Sequence, residues 1–244
     1  MKFKSLILLL TVLLLPLFAH AEPPRLILQI TVDQLRGDML PRFGDRLGEG
    51  GFRYLLENGT VYQDAWFSHA NTMTAVGHAT LATGGNTPEH GMAANDWFER
   101  ALGRRVNAVE DTQSPFIGGA VGDPSGRSPR HLTSSTFSDE LVLASGGRSR
   151  AFGVSTKDRG AIITAGLQGK AYWYSKTTGR YQTTTWYHDE YPAWMKAWNQ
   201  KKMSAGFAGA TWNLLGDRDE YIFAGQDDRP FELPRGELGN TFPH

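Results

Sequence analysis

The stretch from residue 150 to residue 165, RAFGVSTKDRGAIITA, decides the fold class of this chain. Residues 150–155 form a short apolar run, which is typical of a strand that is buried on both faces of a parallel sheet. Residues 158–165 predict a helix that follows the strand after a short polar turn. A strand that leads directly into a helix is the repeating unit of α/β domains.

The same alternation occurs towards the N-terminus. Residues 25–33 (RLILQITVD) form a near-continuous apolar run with β-branched residues, which predicts another strand buried on both faces. Residues 51–57 predict a helix, residues 60–67 a strand and residues 74–83 a second helix. The pattern therefore predicts an α/β core with a mainly parallel sheet flanked by helices.

Of the next two segments, the first interrupts this pattern and the second continues it. Residues 101–135 are rich in Gly, Pro, Ser and Arg and lack periodicity, so we expect a long surface excursion there. Residues 136–139 (TFSD) resemble a capping box and predict a helix that runs through Ala144.

The pattern of predicted elements changes in the last third of the sequence. Residues 170–174 and 180–187 flank a turn and predict a β-hairpin, and residues 192–202 predict a helix with Pro near its start. We therefore assign residues 22–168 to the N-terminal part of the α/β core. Residues 169–244 are assigned to the start of an inserted cap subdomain.

The composition excludes several classes of protein. The chain has 244 residues, enough for one large domain with a sizeable core. Its 25 basic residues balance its 25 acidic residues, whereas nucleic-acid-binding proteins usually carry a basic excess or stripe. The absence of Cys excludes a disulfide framework and a thiol nucleophile. Any metal must therefore be held by oxygen ligands or histidine.

Residues 1–21 are interpreted as a signal peptide. Two lysines precede an apolar run, and Ala19-His20-Ala21 matches an A-x-A cleavage signal. The apolar run is shorter than the roughly 20 residues that a membrane-spanning helix needs. We expect cleavage after Ala21 and a periplasmic or secreted protein without a stable membrane anchor. The sequence gives no indication of the oligomeric state.

Asp33 is the first candidate for a functional residue. It ends the predicted strand 25–33, and sites in open α/β sheets form at the carboxyl ends of strands. A carboxylate there is a candidate metal ligand, and an ordinary turn or N-cap aspartate is the alternative.

Thr74 is expected to begin the helix over residues 74–83. The N-terminal N–H groups and the dipole of a helix favour an anion, and a threonine hydroxyl becomes a nucleophile once a base or a metal activates it. A plain N-cap role for Thr72 or Thr74 is the alternative. His78 lies four residues later on the same face, where it would either orient the site or pack in the core.

Three further polar residues are candidates for binding an anion. Asn95 ends a loop of small residues, and its amide group can donate a hydrogen bond. Lys157 and Arg159 follow the predicted strand 150–155, and a lysine with an arginine is the usual pair for binding phosphate. Two solvated surface charges are the alternative interpretation of this pair.

Five stretches carry a resemblance to a known family. They are VDQLRGD (32–38), NTMTAVGHATLATG (71–84), GMAANDW (91–97), STKDRG (155–160) and GKAYWYSKTTGRYQTTTWY (169–187). In this order they resemble the bacterial periplasmic alkaline phosphatases of the type I phosphodiesterase/nucleotide pyrophosphatase family. The resemblance implies an alkaline-phosphatase-like α/β fold and a phosphate ester hydrolase with two zinc ions.

The resemblance also implies roles for individual residues. Asp33 matches a ligand of one zinc ion, and Thr74 matches the nucleophile, whose oxygen also meets that zinc. Asn95 matches an amide that binds a phosphoryl oxygen, and Lys157 and Arg159 match the cationic pair of the branch that favours monoesters. The implied mechanism is in-line attack by Thr74, a covalent phosphothreonine, and hydrolysis by a zinc-bound hydroxide.

The sequence lacks part of the ligand set that the resemblance implies. The other zinc ligands come from a DGHxxG-like motif, an Asp-His pair and a late histidine, and none of the seven histidines lies in such a setting. We therefore expect the N-terminal half of a zinc-dependent monoesterase, with an incomplete fold and a small phosphate ester as substrate. A phosphodiesterase or nucleotide pyrophosphatase, and a catalytically inactive truncated remnant, are the alternatives.

Overall fold

The part of the chain that the computed structural model describes comprises residues 24–119, 122–222, 224–234 and 236–244. The chain divides into two compact units, residues 1–62 and residues 63–244. The predicted signal peptide lies outside the described residues.

The described part of the first unit, residues 24–62, contains two short helices, α1 (Met39–Phe43) and α2 (Phe52–Asn58), and a 3₁₀ turn at Gly44–Arg46. The helix predicted at residues 51–57 is therefore confirmed as α2. None of its residues is buried, although Leu55 and Leu56 are apolar.

The strand predicted at residues 25–33 is wrong. These residues form no strand, and Leu26, Leu28 and Ile30 are 78%, 73% and 71% exposed. Residues 60–67 likewise form no strand, contrary to the prediction. A strand exists only where a neighbouring strand completes its hydrogen bonds, and the apolar pattern alone does not supply that neighbour.

The second unit contains the regular core. In chain order its elements are α3 (Thr74–Thr83), α4 (Thr87–His90), β1 (Asp96–Glu99), β2 (Arg104–Asn107), α5 (Phe137–Ala144), β3 (Phe152–Ser155), α6 (Asp158–Ala165), β4 (Lys170–Ser175), β5 (Arg180–Gln182) and α7 (Ala193–Gln200). Short 3₁₀ turns follow at Met203–Phe207, Arg218–Glu220, Ala224–Gln226 and Gly236–Leu238. The helices predicted at residues 74–83, 136–144, 158–165 and 192–202 are confirmed as α3, α5, α6 and α7. None of the helices in the described ranges is long and apolar enough to cross a membrane.

A β–α–β unit forms the centre of this second unit. Strand β3 pairs in parallel with β4, and helix α6 makes the connection between them. Strand β4 then pairs antiparallel with β5, as expected for the predicted hairpin. A Cβ atom at Gly153 would overlap the carbonyl oxygen of Ala161, so glycine is needed for α6 to lie this close to β3. Strands β1 and β2 form a separate antiparallel pair.

The hydrophobic core lies where α3, α6 and β4 meet. Small side chains let the two helices approach closely, since Ala75, Ala79, Ala161 and Ala165 are fully buried. Trp173 of β4 packs against the same cluster. The starts of α3 and α6 are thereby held by one rigid core.

Residues 101–135 differ from the predicted surface excursion. They include β2, and Val109 and Leu132 belong to the hydrophobic core. Asp111 is buried within this segment and accepts hydrogen bonds from two serine hydroxyls and one arginine. Outside β2, the turns of this segment are held by polar contacts of this kind rather than by a helix or a strand, and this explains why its sequence shows no periodicity.

The chain does not leave the core at residue 169, where we placed the start of a cap. Strand β4 belongs to the same sheet as β3, and Trp173 and Tyr187 lie in the core beside α3. The prediction placed this boundary too early because aromatic residues were taken to indicate a separate layer. A cap formed by the later residues stays a prediction.

Candidate active site

Helix α3 begins at Thr74, as the sequence predicts. The preceding residue, Met73, is extended and provides no side-chain cap for the helix. The backbone N–H of Ala75 instead donates to Oδ1 of Asn95 at 2.9 Å. Nδ1 of the buried His78 lies 2.9 Å from the carbonyl oxygen of Thr74, and because a carbonyl only accepts, Nδ1 is the donor. Both contacts fix the backbone around Thr74.

Asn95 is held by the loop that precedes β1. Gly91 has a φ of +78°, and a Cβ there would crowd the carbonyl oxygen of His131, so the loop begins with a glycine. The carbonyl oxygen of Asn95 accepts from the N–H of Ala108 at 3.0 Å. Because Oδ1 faces a backbone donor, the amide orientation is determined and Nδ2 is a donor beside the start of α3.

Arg159 reaches the same place from the second residue of α6. Its Nε donates to the carbonyl oxygen of Asn95 at 3.1 Å, and its side chain is 19% exposed. A continuous set of contacts therefore joins Arg159, Asn95 and the residue after Thr74. The structure brings three of the predicted site residues together.

Lys157 lies at the edge of this group. It is the N-cap residue of α6, and it is exposed. It borders a cavity of about 270 Å³ at the carboxyl ends of β3 and β4, which Trp173 and Ser175 also line. The predicted pair of cations is thus split, with Arg159 against Asn95 and Lys157 facing this cavity.

Sequence reasoning missed two residues that contact this group. Asp158 lies between the predicted cations and accepts a hydrogen bond from Nε of Arg127 at 2.8 Å. The signal for Asp158 was available, because an acid between two cations at a helix start is a candidate ion-pair partner. Arg127 carried no signal, since its contact with Asp158 spans 31 residues.

Asp33 is exposed and belongs to the first unit, whereas the other candidate residues belong to the second. The described residues contain no group of three or more His, Asp or Glu side chains that could hold a metal ion. A catalytic zinc site takes about three protein ligands and a structural one takes four. The described part of the chain therefore does not fit a complete zinc centre.

Helix α3 is also attached to α4 through His90. Nδ1 of His90 accepts from the N–H of Met92 at 3.1 Å, and Nε2 lies 3.2 Å from the hydroxyl of Thr80. Burial lowers the pKa of His90 below its ordinary value, and the nearby His69 lowers it further. The ring is therefore held neutral beneath α3.

Comparison with known proteins places this geometry in a family. The family model for type I phosphodiesterase / nucleotide pyrophosphatase matches residues 27–213. The chain is 35% identical over 226 residues to alkaline phosphatase PafA of Elizabethkingia meningoseptica, a match that covers 91% of this chain and 41% of PafA. It is 34% identical to alkaline phosphatase PhoV of Synechococcus elongatus, covering 91% and 40%. It is 35% identical to a Myroides odoratus protein named calcium-transporting ATPase, covering 91% and 41%.

Solved structures agree with this result. The crystal structure of wild-type PafA matches with a TM-score of 0.81 and 35% identity, over 87% of this chain and 41% of PafA. A PafA variant matches equally well, and its substitutions replace one threonine, one asparagine, one lysine and one arginine. The chain spans about two fifths of the length of these relatives. Its α/β core has the alkaline-phosphatase-like fold, and the chain belongs to the type I phosphodiesterase / nucleotide pyrophosphatase family.

Proposed function

We propose that the protein containing this chain hydrolyses phosphate monoesters and that Thr74 is its nucleophile. The observation that carries the proposal is the set of contacts from Arg159 through Asn95 to the N–H of Ala75. It gathers a hydroxyl, an amide donor and a guanidinium at one helix N-terminus. Such a combination of donors and positive charge suits a phosphoryl group.

The proposed reaction is in-line displacement at phosphorus. The Thr74 oxygen loses its proton to solvent and forms a bond to phosphorus, the bond to the ester oxygen breaks, and that oxygen takes up a proton from solvent and leaves as the alcohol. Water then attacks the phosphothreonine, which releases inorganic phosphate and restores the hydroxyl. Nδ2 of Asn95 and the guanidinium of Arg159 bind the phosphoryl oxygens throughout, and Lys157 adds a second positive charge.

Two cations favour a monoester over a diester. A phosphate monoester carries one more negative charge than a diester, so Lys157 and Arg159 bind it more strongly. The competing activity is that of a phosphodiesterase or nucleotide pyrophosphatase, which the description of the family includes.

The spacing of four residues in PafA supports these roles. The threonine, asparagine, lysine and arginine replaced in the PafA variant follow one another at intervals of 21, 62 and 2 positions. The same intervals separate Thr74, Asn95, Lys157 and Arg159 in this chain. Such agreement in order and spacing indicates equivalent positions in the two proteins.

We extend the proposal to zinc, with Asp33 and Thr74 as two of its ligands. The described residues do not form a complete centre, so the remaining ligands have to be supplied from elsewhere. Equilibrium dialysis against zinc provides the test. Weak binding is expected for these 244 residues, because the described part holds no complete group of ligands, and tight binding by them would contradict the need for further ligands.

We also propose export of the protein, with cleavage after Ala21. The motive is the charged start, the apolar run and the A-x-A signal in residues 1–21. The mass of the mature protein recovered from the periplasm or medium should correspond to a chain beginning at Glu22. Recovery of the uncleaved chain from the cytoplasm would contradict the proposal.

Substitution of Thr74 tests the nucleophile in the product of the complete reading frame. Thr74→Ala should abolish hydrolysis of p-nitrophenyl phosphate, whereas Thr74→Ser should retain measurable turnover because it keeps the hydroxyl. Near-normal activity of Thr74→Ala would overturn the assignment. Bis-p-nitrophenyl phosphate and ATP belong in the same assay, and a preference for either would favour a competing activity.

A further inference from the structure

The acidic residue between the two cations of the STKDRG stretch has a contact that the nucleophile assignment does not use. We propose that Asp158 is a positioning residue that orients the guanidinium of Arg159, and that Arg127 fixes Asp158 in turn. The inference rests on the proposed function, because it concerns the orientation of a cation that binds the phosphoryl group.

Both carboxylate oxygens of Asp158 are engaged. Oδ2 accepts from Nε of Arg127 at 2.8 Å, and Oδ1 accepts from the backbone N–H of Arg159 at 2.8 Å. Oδ1 also lies 3.9 Å from Nη1 of Arg159, and all three side chains are less than one fifth exposed. Because contacts to both oxygens fix the carboxylate plane, its charge faces the guanidinium in one orientation.

Arg127 is itself held through both its side chain and its backbone. Its Nη1 donates to the carbonyl oxygens of Pro124 and Gly126, both at 2.9 Å. Its own carbonyl oxygen accepts from the buried hydroxyl of Thr184 at 2.7 Å. Asp158 therefore has a partner outside α6 that holds Oδ2, while the N–H of Arg159 holds Oδ1.

Arg127 also resolves a difficulty over charge. A carboxylate beside Arg159 would by itself cancel the positive charge that attracts phosphate. The three cations Arg127, Lys157 and Arg159 outnumber the single carboxylate of Asp158, so the start of α6 keeps a net positive charge. Asp158 can thus orient Arg159 without neutralising the site.

The other side of Arg159 is fixed by Asn95. Nε of Arg159 donates to the Asn95 carbonyl oxygen, while Asp158 lies near Nη1. A guanidinium has five N–H donors in one plane; the hydrogen bond from Nε fixes one of them, and the negative charge of Asp158, 3.9 Å from Nη1, favours the orientation that turns Nη1 towards it. Positioning by Asp158 should therefore affect the binding of every phosphoryl species at this site, including inorganic phosphate.

A double-mutant cycle in the product of the complete reading frame tests this inference. Asp158→Asn should lower kcat/KM for p-nitrophenyl phosphate about tenfold and raise the inhibition constant of inorganic phosphate by a similar factor, while Arg159→Met lowers kcat/KM about 100-fold. The double variant should equal Arg159→Met within about twofold, because Asp158 acts through Arg159. Multiplied effects, or wild-type activity of Asp158→Asn, would overturn the inference.

Asp139→Asn is the control. Asp139 is also a buried carboxylate, and it accepts from the N–H groups of Thr136 at 2.8 Å and Gln168 at 2.6 Å rather than from a residue of the candidate site. Any loss that it causes should multiply with that of Arg159→Met. If Asp158→Asn does not fold, Arg127→Met provides a second cycle. Combining Arg127→Met with Arg159→Met should then cause no loss of kcat/KM beyond that of Arg159→Met alone.

The cycle also separates two kinds of failure. If the wild-type protein hydrolyses no phosphate ester, the proposed function is wrong. If the wild-type protein is active and Arg159→Met is impaired while Asp158→Asn is unaffected, only the positioning role is wrong.

Discussion

Helices α3 and α5 begin in opposite ways. Helix α5 is closed by its own first turn, because the Thr136 hydroxyl accepts from the N–H of Asp139 and the Asp139 carboxylate accepts from the N–H of Thr136. Both side chains are buried. Helix α3 follows Met73, which provides no cap, and a backbone donor of its first turn is satisfied by Asn95, 20 residues further along the chain.

This difference separates a structural helix start from one that is available for chemistry. A capping box occupies the N-terminal donors with side chains of the same turn, and no ligand is needed. The start of α3 has a hydroxyl residue, an amide from another loop and a nearby guanidinium, and an anion can join them. The remote cap of α3 is therefore part of the candidate site, while the local cap of α5 serves stability.

Substitution of Asn95 should have the largest effect on this comparison. Asn95→Ala should lower kcat/KM about 100- to 1,000-fold, the usual loss when one donor to a transition-state oxygen is removed. Asn95→Asp keeps an acceptor for the N–H of Ala75 but places a negative charge at the proposed phosphate site. It should therefore lose activity as severely while retaining the melting temperature. Full turnover in either variant would contradict the assignment of the α3 start to the candidate site.

Loss of the local cap should affect stability alone. Thr136→Ala should lower the free energy of unfolding by about 2 kcal/mol, which is the upper range for removal of an N-cap hydroxyl. The reason is that the buried backbone N–H of Asp139 loses its acceptor. Urea denaturation measures this change, and Thr136→Ser is the control that keeps the hydroxyl. Activity per folded molecule should not change. A variant that is fully folded but inactive would show that α5 also belongs to the site.

A local cap can also be introduced at the start of α3. Met73→Ser places a hydroxyl at the N-cap position, where it can accept from the N–H of Val76. The free energy of unfolding should rise by about 0.5–1 kcal/mol, as for other favourable N-caps. Met73→Asp should stabilise the fold similarly but lower kcat/KM, because its charge repels a phosphate dianion. Faster turnover by Met73→Asp would contradict the assignment of this helix start to an anion.

The smallest effect concerns pH and the attachment of α3 to α4. The pKa of His90 is lowered by burial in the folded state, so the unfolded chain takes up the proton at a higher pH. Stability is therefore fully present above the ordinary histidine pKa of about 6.5 and falls as the pH drops below it. His90→Gln should reduce the difference in melting temperature between pH 7.5 and pH 5.5. An unchanged difference would show that His90 does not contribute.

The sequence predicted the elements whose signals are local. The capping box TFSD predicted α5, and the apolar run followed by STKDRG predicted β3 and α6. The two runs on either side of residues 175–179 predicted the hairpin. The strands predicted at residues 25–33 and 60–67 failed because pairing depends on a partner elsewhere in the chain. Strand β3 succeeded from a similar pattern because β4 follows it closely enough to pair.

The candidate site shows the same limit. Thr74, Asn95, Lys157 and Arg159 were selected by residue type and by family resemblance, and their roles stay predictions. What the sequence did not contain was the direct contact of Arg159 with the Asn95 backbone and the role of Arg127 beside Asp158. Both contacts depend on how a segment without periodicity folds onto the core.

The long spans of these contacts have a consequence for the order in which the protein forms. The bonds from Ala75 to Asn95, Arg127 to Asp158 and Arg159 to Asn95 close loops of 20, 31 and 64 residues. Closing such a loop costs conformational entropy before the contact can stabilise the fold, so distant contacts form after local ones. During synthesis on the ribosome, α3 can coil early, but its amide and guanidinium partners meet only after residue 159 has emerged. The newborn chain thus contains the proposed nucleophile long before the residues proposed to bind phosphate have come together.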